Sequence, residues 1–369
     1  MTTESTIATP FRAYNFCAGP CALPLSVLES LSAELIDFNG TGMSLIEMSH
    51  RGPEYDAVHH DTLDRFRRLF AVPEDFSILL LQGGATLQFA MAPMNCSQPH
   101  ESIGYVVAGT WGKKAVADAR VLRANTYEAW NGSGDGFRAM PTLEDLHLAD
   151  NTRYLHVTSN ETIGGIRMSG FNDPGVPMVA DMSSDYLSRP IPWDLFDVVY
   201  GGAQKNLGPA GLAVVFVRNS VMESAPHNPA YLTYKTHADA DSMANTPPVF
   251  PIWATGKVLA WMEEMGGVEA MQTRAAHRSS RLYSAIDASG GFYRSPVNTQ
   301  DRSHMNVVFR LGSEELEKRF VAEATSENLL FLKGHRSVGG IRASIYNATP
   351  DESVDALIGF MSAFASRAG

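Results

Sequence analysis

The sequence lacks the features that mark secreted, membrane-spanning and nucleic-acid-binding proteins. Only three cysteines occur in 369 residues, Cys17, Cys21 and Cys96, which is too few for a disulfide framework and suits a reducing compartment. No apolar run approaches the roughly 18 residues that span a membrane. Lysine and arginine total 29 against 40 aspartates and glutamates, and the net charge of −11 argues against nucleic-acid or anionic-membrane partners.

Further absences narrow the class of protein. Cys17 and Cys21 stand four residues apart, but no second Cys/His pair completes a zinc site, so no metal is expected. No Gly-x-Gly-x-x-Gly follows an early strand, which disfavours a dinucleotide-dependent dehydrogenase. The stretch "MTTESTIATPFRAYNF" has neither the basic start nor the apolar core of a signal peptide. We therefore expect a cytoplasmic protein without a membrane segment.

What is present is a large apolar content arranged in alternating segments. The hydrophobic fraction of 44% and the length of 369 residues predict about two domains with sizeable cores. Residues 1–13 are polar and predict a loose tail. Apolar candidate strands are separated by helical or turn segments, at 77–82, 104–109, 153–158, 177–182, 196–201 and 211–217. This alternation predicts an α/β fold with a parallel or mixed sheet, whose ligands bind beyond the carboxyl ends of the strands.

A lone lysine follows one of these strand ends, in the loop "YGGAQKNLGPAG". One interpretation is a surface loop with a solvated lysine, Lys205, at its tip. The other is a ligand site, in which the glycines let a ligand approach the backbone and Lys205 anchors it.

Other strand ends carry polar or aromatic groups that favour the second interpretation. Asp181 ends the strand "VADM", Trp111 and Thr162 follow two other strands, and Thr86 opens a helix after a glycine pair. Taken singly, Asp181 could be a helix cap, Trp111 a core residue and "GGAT" a plain turn. Taken together they are the groups that pyridoxal phosphate requires: an amine, a carboxylate for the ring nitrogen, an aromatic plate, a hydroxyl and a helix N-terminus for the phosphate.

The motifs of this chain resemble those of the phosphoserine aminotransferases, a family of class-V aminotransferases within the fold-type-I pyridoxal-phosphate enzymes. The motifs are "NFCAGP", "IEMSHRGPEY", "SNETIGG", "ADMSS", "GAQKNLGPAG", "NTPP", "SHMNVVF" and "KGHRSVGGIRASIYNA". The resemblance implies a large pyridoxal-phosphate-binding domain with a mostly parallel seven-stranded sheet flanked by helices, and a small C-terminal α+β domain. We place the large domain at 23–262 and the small domain at 263–369, with an N-terminal segment, 1–22, packed on the small domain.

The resemblance also implies a role for individual residues. One cofactor per subunit would form a Schiff base with Lys205 and pair its ring nitrogen with Asp181. The remaining cofactor contacts would be stacking by Trp111, a bond from Thr162 to the phenolic oxygen, and phosphate contacts from Ala85, Thr86 and Gln204. Asn245 and Thr246 would reach the phosphate from the neighbouring subunit, which implies a homodimer with sites at the interface. Some members carry Gly-Gly-Gly-Arg where this chain has "GGAT", so backbone donors must suffice here.

Basic residues in two segments predict anion sites for the substrate. His50 and Arg51 precede a helix opened by a proline, and the helix dipole adds to their field. The alternative is that these two are solvated surface residues. The second segment contributes His335, Arg336 and Arg342, and Arg342 lies inside a predicted strand, where an unpaired charge is costly to bury. We assign Arg342 to an α-carboxylate and the other four to a phosphate or side-chain carboxylate.

The resemblance implies reversible transamination of 3-phosphohydroxypyruvate with L-glutamate, giving O-phospho-L-serine and 2-oxoglutarate in L-serine biosynthesis. Use of the phosphorylated hydroxythreonine intermediate of vitamin B6 biosynthesis stays open. A serine- or alanine-glyoxylate aminotransferase would not need the basic residues of "GHRSVGG", and a cysteine desulfurase needs a cysteine in its C-terminal half, which is absent. A non-catalytic protein of this fold is a further alternative, although such proteins often lose the lysine or the ring carboxylate.

Overall fold

The computed structural model describes residues 11–368. Most of the predicted polar tail, and residues 1–10 of the predicted N-terminal segment, lie outside these described residues. Within 11–368 no helix is long and apolar enough to cross a lipid bilayer, and no group of three or more His, Cys, Asp or Glu side chains is placed to bind a metal.

The described residues form ten α-helices and thirteen strands. The helices are α1 Leu25–Glu34, α2 Pro53–Leu69, α3 Gly84–Cys96, α4 Thr110–Leu122, α5 Asn219–Glu223, α6 Tyr234–Ala238, α7 Val249–Glu264, α8 Gly267–Asp287, α9 Glu314–Ser326 and α10 Asp351–Ala368. The strands are β1 Tyr14–Asn15, β2 Phe76–Leu81, β3 Ser102–Val107, β4 Thr126–Asn131, β5 Thr152–Thr158, β6 Asn160–Glu161, β7 Ile166–Arg167, β8 Met178–Asp181, β9 Phe196–Gly202, β10 Ala213–Arg218, β11 Asn306–Phe309, β12 Leu329–Leu330 and β13 Ile341–Ser344.

A seven-stranded sheet forms the centre of the fold, in the order β2-β10-β9-β8-β5-β3-β4. Strand β10 is antiparallel to both of its neighbours, and all the other pairs are parallel. Because β2 and β9 are both antiparallel to β10, they run in the same direction, and six strands therefore end at one edge of the sheet. This arrangement confirms the predicted α/β fold class and brings the residues after those strands to a common edge.

Side chains alternate between two cores on the two faces of this sheet, as the pleat of a strand requires. Along β2, Ile78 and Leu80 enter the core beneath α2 and α7, whereas Leu79 and Leu81 enter the core beneath α3 and α4. Burial on both faces explains why these strands could be recognised as continuous apolar runs.

Strand β4 was missed by the sequence analysis. It lies at the edge of the sheet, where only β3 pairs with it, and several of its residues are partly or fully exposed. Its sequence "TYEAWN" therefore mixes polar and apolar residues instead of forming an apolar run.

The C-terminal part of the chain builds a third core from α8, α9, α10, β11 and β13. Phe320 lies at its centre, with its ring packed edge-on against those of Phe309 and Phe360. Phe16 also enters this core, and β1 pairs with β12. These contacts support our proposal of a small domain with the N-terminal segment packed on it. Helices α7 and α8 meet at Gly266, close to the proposed boundary.

A buried polar network joins the central sheet to the C-terminal unit. Asn160 donates to Oδ1 of Asn306 over 2.8 Å and accepts from the hydroxyl of Ser303 over 2.6 Å. Asn306 in turn donates to Ser344 and Tyr346, at 2.9 and 3.0 Å. Because unpaired polar groups are costly in a dry interior, these bonds fix β13 relative to the edge of the sheet.

Candidate active site

Lys205 lies inside the protein and is not a solvated loop tip. It follows β9 by three residues, and only 9% of its surface is exposed. Its Nζ donates to Oγ1 of Thr162 over 2.7 Å and lies 5.7 Å from the ring centroid of Trp111. The structure thus brings together an amine, a hydroxyl and an indole from three strand ends.

The surroundings of Lys205 favour its neutral form. Burial lowers the pKa of the amine below its ordinary value, because a buried ammonium loses its hydration. The carboxylates of Asp181 and Glu161 act in the opposite direction, and the positive charge of Arg342 adds to the lowering. A lowered pKa increases the fraction of the amine that is unprotonated near neutral pH, which is the form that acts as a base and nucleophile.

Asp181 is the last residue of β8 and is buried beside this amine. Its Oδ1 accepts from the backbone N–H and the hydroxyl of Ser183, at 2.9 and 2.6 Å, which forms a local turn. In the described part of the chain Oδ2 accepts no hydrogen bond. Burial raises the pKa of Asp181, while Lys205 and Ser183 act to lower it. A cationic donor facing Oδ2 would keep this carboxylate ionised.

The N-terminus of α3 is open to an anion. Gly83 precedes the helix with φ of +86°, a left-handed conformation suited to glycine, and Ala85 and Thr86 lie in the first turn. Among residues 11–368 no side chain caps this helix, and its first turn has no acidic residue. Its free N–H groups and dipole favour a phosphate. The side-chain amide of Gln204 likewise makes no hydrogen bond to any described residue.

The sequence analysis missed Glu161, which occupies the N-terminus of α4. Its Oε2 accepts from the N–H of Trp111 over 3.0 Å and its Oε1 from the N–H of Gly112 over 2.8 Å. The residue lies inside the motif "SNETIGG", directly before Thr162. The sequence alone does not show that this acidic side chain contacts a helix about 50 residues earlier in the chain.

Four basic residues form a group whose member Arg342 also acts on Lys205. Burial lowers the pKa of His335, and the positive charges of Arg342, Arg336 and Lys114 lower it further, so these four residues share one region. Arg342 projects from β13, and its buried Nε has no hydrogen-bond partner among the described residues. Lys114 was not predicted; it stands one helical turn after Trp111, with Nζ 4.5 Å from the indole centroid.

Four of the predicted site residues make no polar contact with Lys205 or the basic group among the described residues of one chain. Among the described residues, no hydrogen bond or ion pair connects the side chains of His50, Arg51, Asn245 or Thr246 with Lys205 or with the basic group. Thr246 is exposed, and its carbonyl accepts from Gln82 at the end of β2. A buried Nε2 of His50 has no partner within residues 11–368.

Two glycines near Lys205, Gly201 and Gly208, do not serve the purpose expected from the sequence. A Cβ at Gly201 would lie 2.5 Å from Cε2 of Tyr186 and 2.9 Å from the Cα of Ser183, and one at Gly208 would lie 2.5 Å from Oγ1 of Thr255. These positions are small because the protein packs against them, so the expectation that they admit a ligand is corrected.

Comparisons with known proteins identify the family of this chain. The profile described as aminotransferase class-V matches residues 13–357. A phosphoserine aminotransferase of Niallia circulans is 50% identical over 355 residues, which cover 96% of this chain and 98% of that protein. The chain belongs to the class-V aminotransferase family.

Solved structures place this class-V aminotransferase among the phosphoserine aminotransferases. The enzyme from Bacillus circulans subsp. alkalophilus superposes with a TM-score of 0.95 at 49% identity, covering 97% of this chain and 99% of that one. A pyridoxal-phosphate-bound phosphoserine aminotransferase from Trichomonas vaginalis gives 0.91 at 37% identity, covering 95% and 100%. The predicted fold-type-I architecture is confirmed, and the glyoxylate-type, desulfurase and non-catalytic alternatives are not favoured.

We expect Gly201→Ala to destabilise the aminotransferase by about 1–3 kcal/mol through overpacking against Tyr186. The control is Gly359→Ala, on the exposed side of α10 with no atom within 4 Å of the added Cβ; it should stabilise by about 0.5–1 kcal/mol. Urea denaturation of the two variants measures both effects. Wild-type stability in Gly201→Ala, combined with lost ligand binding, would restore the ligand-approach interpretation.

Proposed function

We propose that this class-V aminotransferase is a phosphoserine aminotransferase, which exchanges an amino group between L-glutamate and 3-phosphohydroxypyruvate in L-serine biosynthesis. The observation that carries the proposal is the buried Lys205, whose Nζ stands 2.7 Å from Thr162 and faces Trp111 at the carboxyl edge of the sheet. Near-complete coverage by relatives of that name supports the same reaction.

The residues present fit pyridoxal phosphate. Asp181 has a carboxylate oxygen free for the ring nitrogen, Trp111 offers an aromatic face with an unpartnered buried Nε1 among the described residues, and α3 presents an uncapped N-terminus. When bound, the cofactor supplies an aldehyde for amines and a ring that withdraws electrons from the substrate Cα. We propose one cofactor per subunit, linked to Lys205.

The side chains around Lys205 would hold and move a proton. Once the substrate amine has displaced it from the cofactor, Nζ of Lys205, with its lowered pKa, would be the base that takes the proton from the substrate Cα. Asp181 would keep a positive charge on the ring nitrogen, and the hydroxyl of Thr162 fixes the amine of Lys205 by accepting its hydrogen bond. Ala85, Thr86 and Gln204 would hold the phosphate.

The basic group would bind the two negative ends of the substrate. Arg342 holds the α-carboxylate with its planar guanidinium, because its Nε is free and its charge acts on Lys205. His335 and Arg336, joined by Lys114, bind the phosphate of one substrate and the side-chain carboxylate of glutamate. Two anion sites would let the same pocket bind these substrates in turn.

A homodimer would complete the site. Asn245, Thr246, His50 and Arg51 are separated from the basic group within one chain, and we propose that they serve the neighbouring subunit. Helix α1 and the turn Leu45–Glu47 both pack against α7. Each of these three elements has an exposed apolar side chain: Leu28 on α1, Ile46 in the turn and Phe250 on α7. A surface of this kind on a monomer favours burial against a second copy.

We expect Lys205→Ala to lower turnover at least about a thousandfold, because it removes both the covalent anchor and the base. The assay mixes O-phosphoserine with 2-oxoglutarate and follows glutamate. Borohydride reduction followed by mass spectrometry should find the cofactor attached at position 205 in the wild type and absent from the variant. The control Lys235→Ala removes an exposed lysine paired with Asp239 and should leave turnover unchanged. Wild-type turnover in Lys205→Ala would refute the assignment.

Two arginine variants separate the anion sites. Arg342→Lys loses the bidentate fork and should raise KM about tenfold or more for both glutamate and O-phosphoserine, since both carry an α-carboxylate. Arg336→Ala should raise KM for O-phosphoserine more than for glutamate, because a phosphate carries more charge. Steady-state kinetics measure KM for each substrate. If Arg336→Ala raised KM equally for the two substrates, the assignment would be contradicted.

Mixing two inactive variants tests the shared site. Lys205→Ala and the double variant Asn245→Ala/Thr246→Ala should each be impaired as homodimers. If Asn245 and Thr246 serve the neighbour, each heterodimer regains one intact site, and an equilibrated equal mixture should reach about a quarter of wild-type activity. A mixture no more active than the mean of its parents would place both residues in their own subunit's site.

A further inference from the structure

Glu161 is a fully buried carboxylate with two specific partners on another element. Its exposed fraction is 0%, and it accepts from the N–H groups of Trp111 and Gly112 at 3.0 and 2.8 Å. Both amides lie in the first turn of α4, where an N–H has no acceptor within its own helix. Glu161 thus satisfies donors that would otherwise be left unpaired in the interior.

Burial and the end of α4 act on the charge of this carboxylate in opposite directions. Burial raises the pKa of Glu161 to about 7, even though the amides of Gly112 and Trp111 act to lower it. The charges of Asp181 and Lys205 also act on it, in opposite directions. The positive end of the α4 dipole adds to the stabilisation of the anion.

The start of α4 packs closely against Glu161 and the end of β3. A Cβ at Gly109 would lie 2.5 Å from Cδ of Glu161, and one at Gly112 would lie 2.7 Å from the carbonyl oxygen of Val106. The start of α4 is therefore held between the end of β3 and the side chain of Glu161. Only glycine fits at these two positions while that contact is kept.

The two helix N-termini at this edge of the sheet differ in whether a side chain accepts hydrogen bonds from their N–H groups. In the described residues α3 has no capping side chain, whereas both first-turn amides of α4 are taken by Glu161. An anion arriving at the edge therefore finds free N–H groups at α3 and none at these two positions of α4.

We propose that Glu161 is a positioning residue, which holds the first turn of α4 so that the indole of Trp111 lies over the cofactor ring and the cofactor phosphate is directed to α3. This role rests on the proposed function of the site. Glu161 acts through Trp111, so its loss should change cofactor binding and not only stability.

Amide hydrogen exchange in the cofactor-free wild type tests the contact itself. The N–H groups of Trp111 and Gly112 should be protected, whereas those of Ala85 and Thr86, also in a first helical turn, should exchange rapidly. Equally rapid exchange at all four positions would overturn the proposal. This measurement uses only the wild type, so it tests the proposal even if the Glu161 variant does not fold.

Glu161→Gln tests the role in cofactor binding. Its Nε2 cannot accept from an N–H, so one amide loses its partner and the negative charge is removed. The dissociation constant for pyridoxal phosphate should rise on the order of tenfold. The visible circular dichroism of the bound cofactor should weaken as the indole shifts, and exchange at Trp111 and Gly112 should accelerate.

The matched control is Ser313→Ala, which removes a helix cap on α9, where Ser313 accepts from the N–H of Leu316 over 3.2 Å. It should lower thermal stability without changing cofactor affinity or dichroism. Glu161→Gln with reduced stability but wild-type affinity and dichroism would assign a merely structural role and overturn the proposal. A wild type that binds no pyridoxal phosphate would instead refute the proposed function, and this role with it.

Discussion

The chemistry of the site depends on one buried amine in a polar setting. Nζ of Lys205 lies 2.7 Å from the hydroxyl of Thr162 and 5.7 Å from the ring centroid of Trp111. Burial lowers the pKa of this amine, and the charges of Asp181 and Glu161 act to raise it. In water such a lysine would be a solvated cation with little reactivity. The interior removes that hydration, and the nearby carboxylates limit how far the charged form is disfavoured, so the group can serve as a base.

The sheet and the C-terminal unit bring the partners of this amine together. Six strands end at the same edge, which is why residues far apart in sequence, such as Trp111, Asp181 and Lys205, meet. The polar network around Asn306 then fixes β13, so that Arg342 faces the amine from the other unit. A hydrogen-bonded interface of this kind resists rearrangement, because each broken bond leaves a buried polar group unpaired.

The N-termini of α3 and α4 both present backbone N–H groups near the amine, but within residues 11–368 only that of α4 is capped by a side chain. The first turn of α3 is left open among the described residues, whereas Glu161 fills that of α4. Positive potential at both ends would otherwise compete for the same anion. A carboxylate supplied by the chain removes this competition and also sets the position of Trp111.

The sequence by itself determined the fold class, most of the central strands and the family, because buried parallel strands are continuous apolar runs and the motif around Lys205 is specific. It could not reveal β4, whose exposed edge breaks the apolar pattern, nor that Gly201 is small because Tyr186 packs on it. Only the tertiary structure joined Glu161 to α4 and Lys114 to the basic group. Such contacts link residues distant along the chain, and no local spacing encodes which of them will meet.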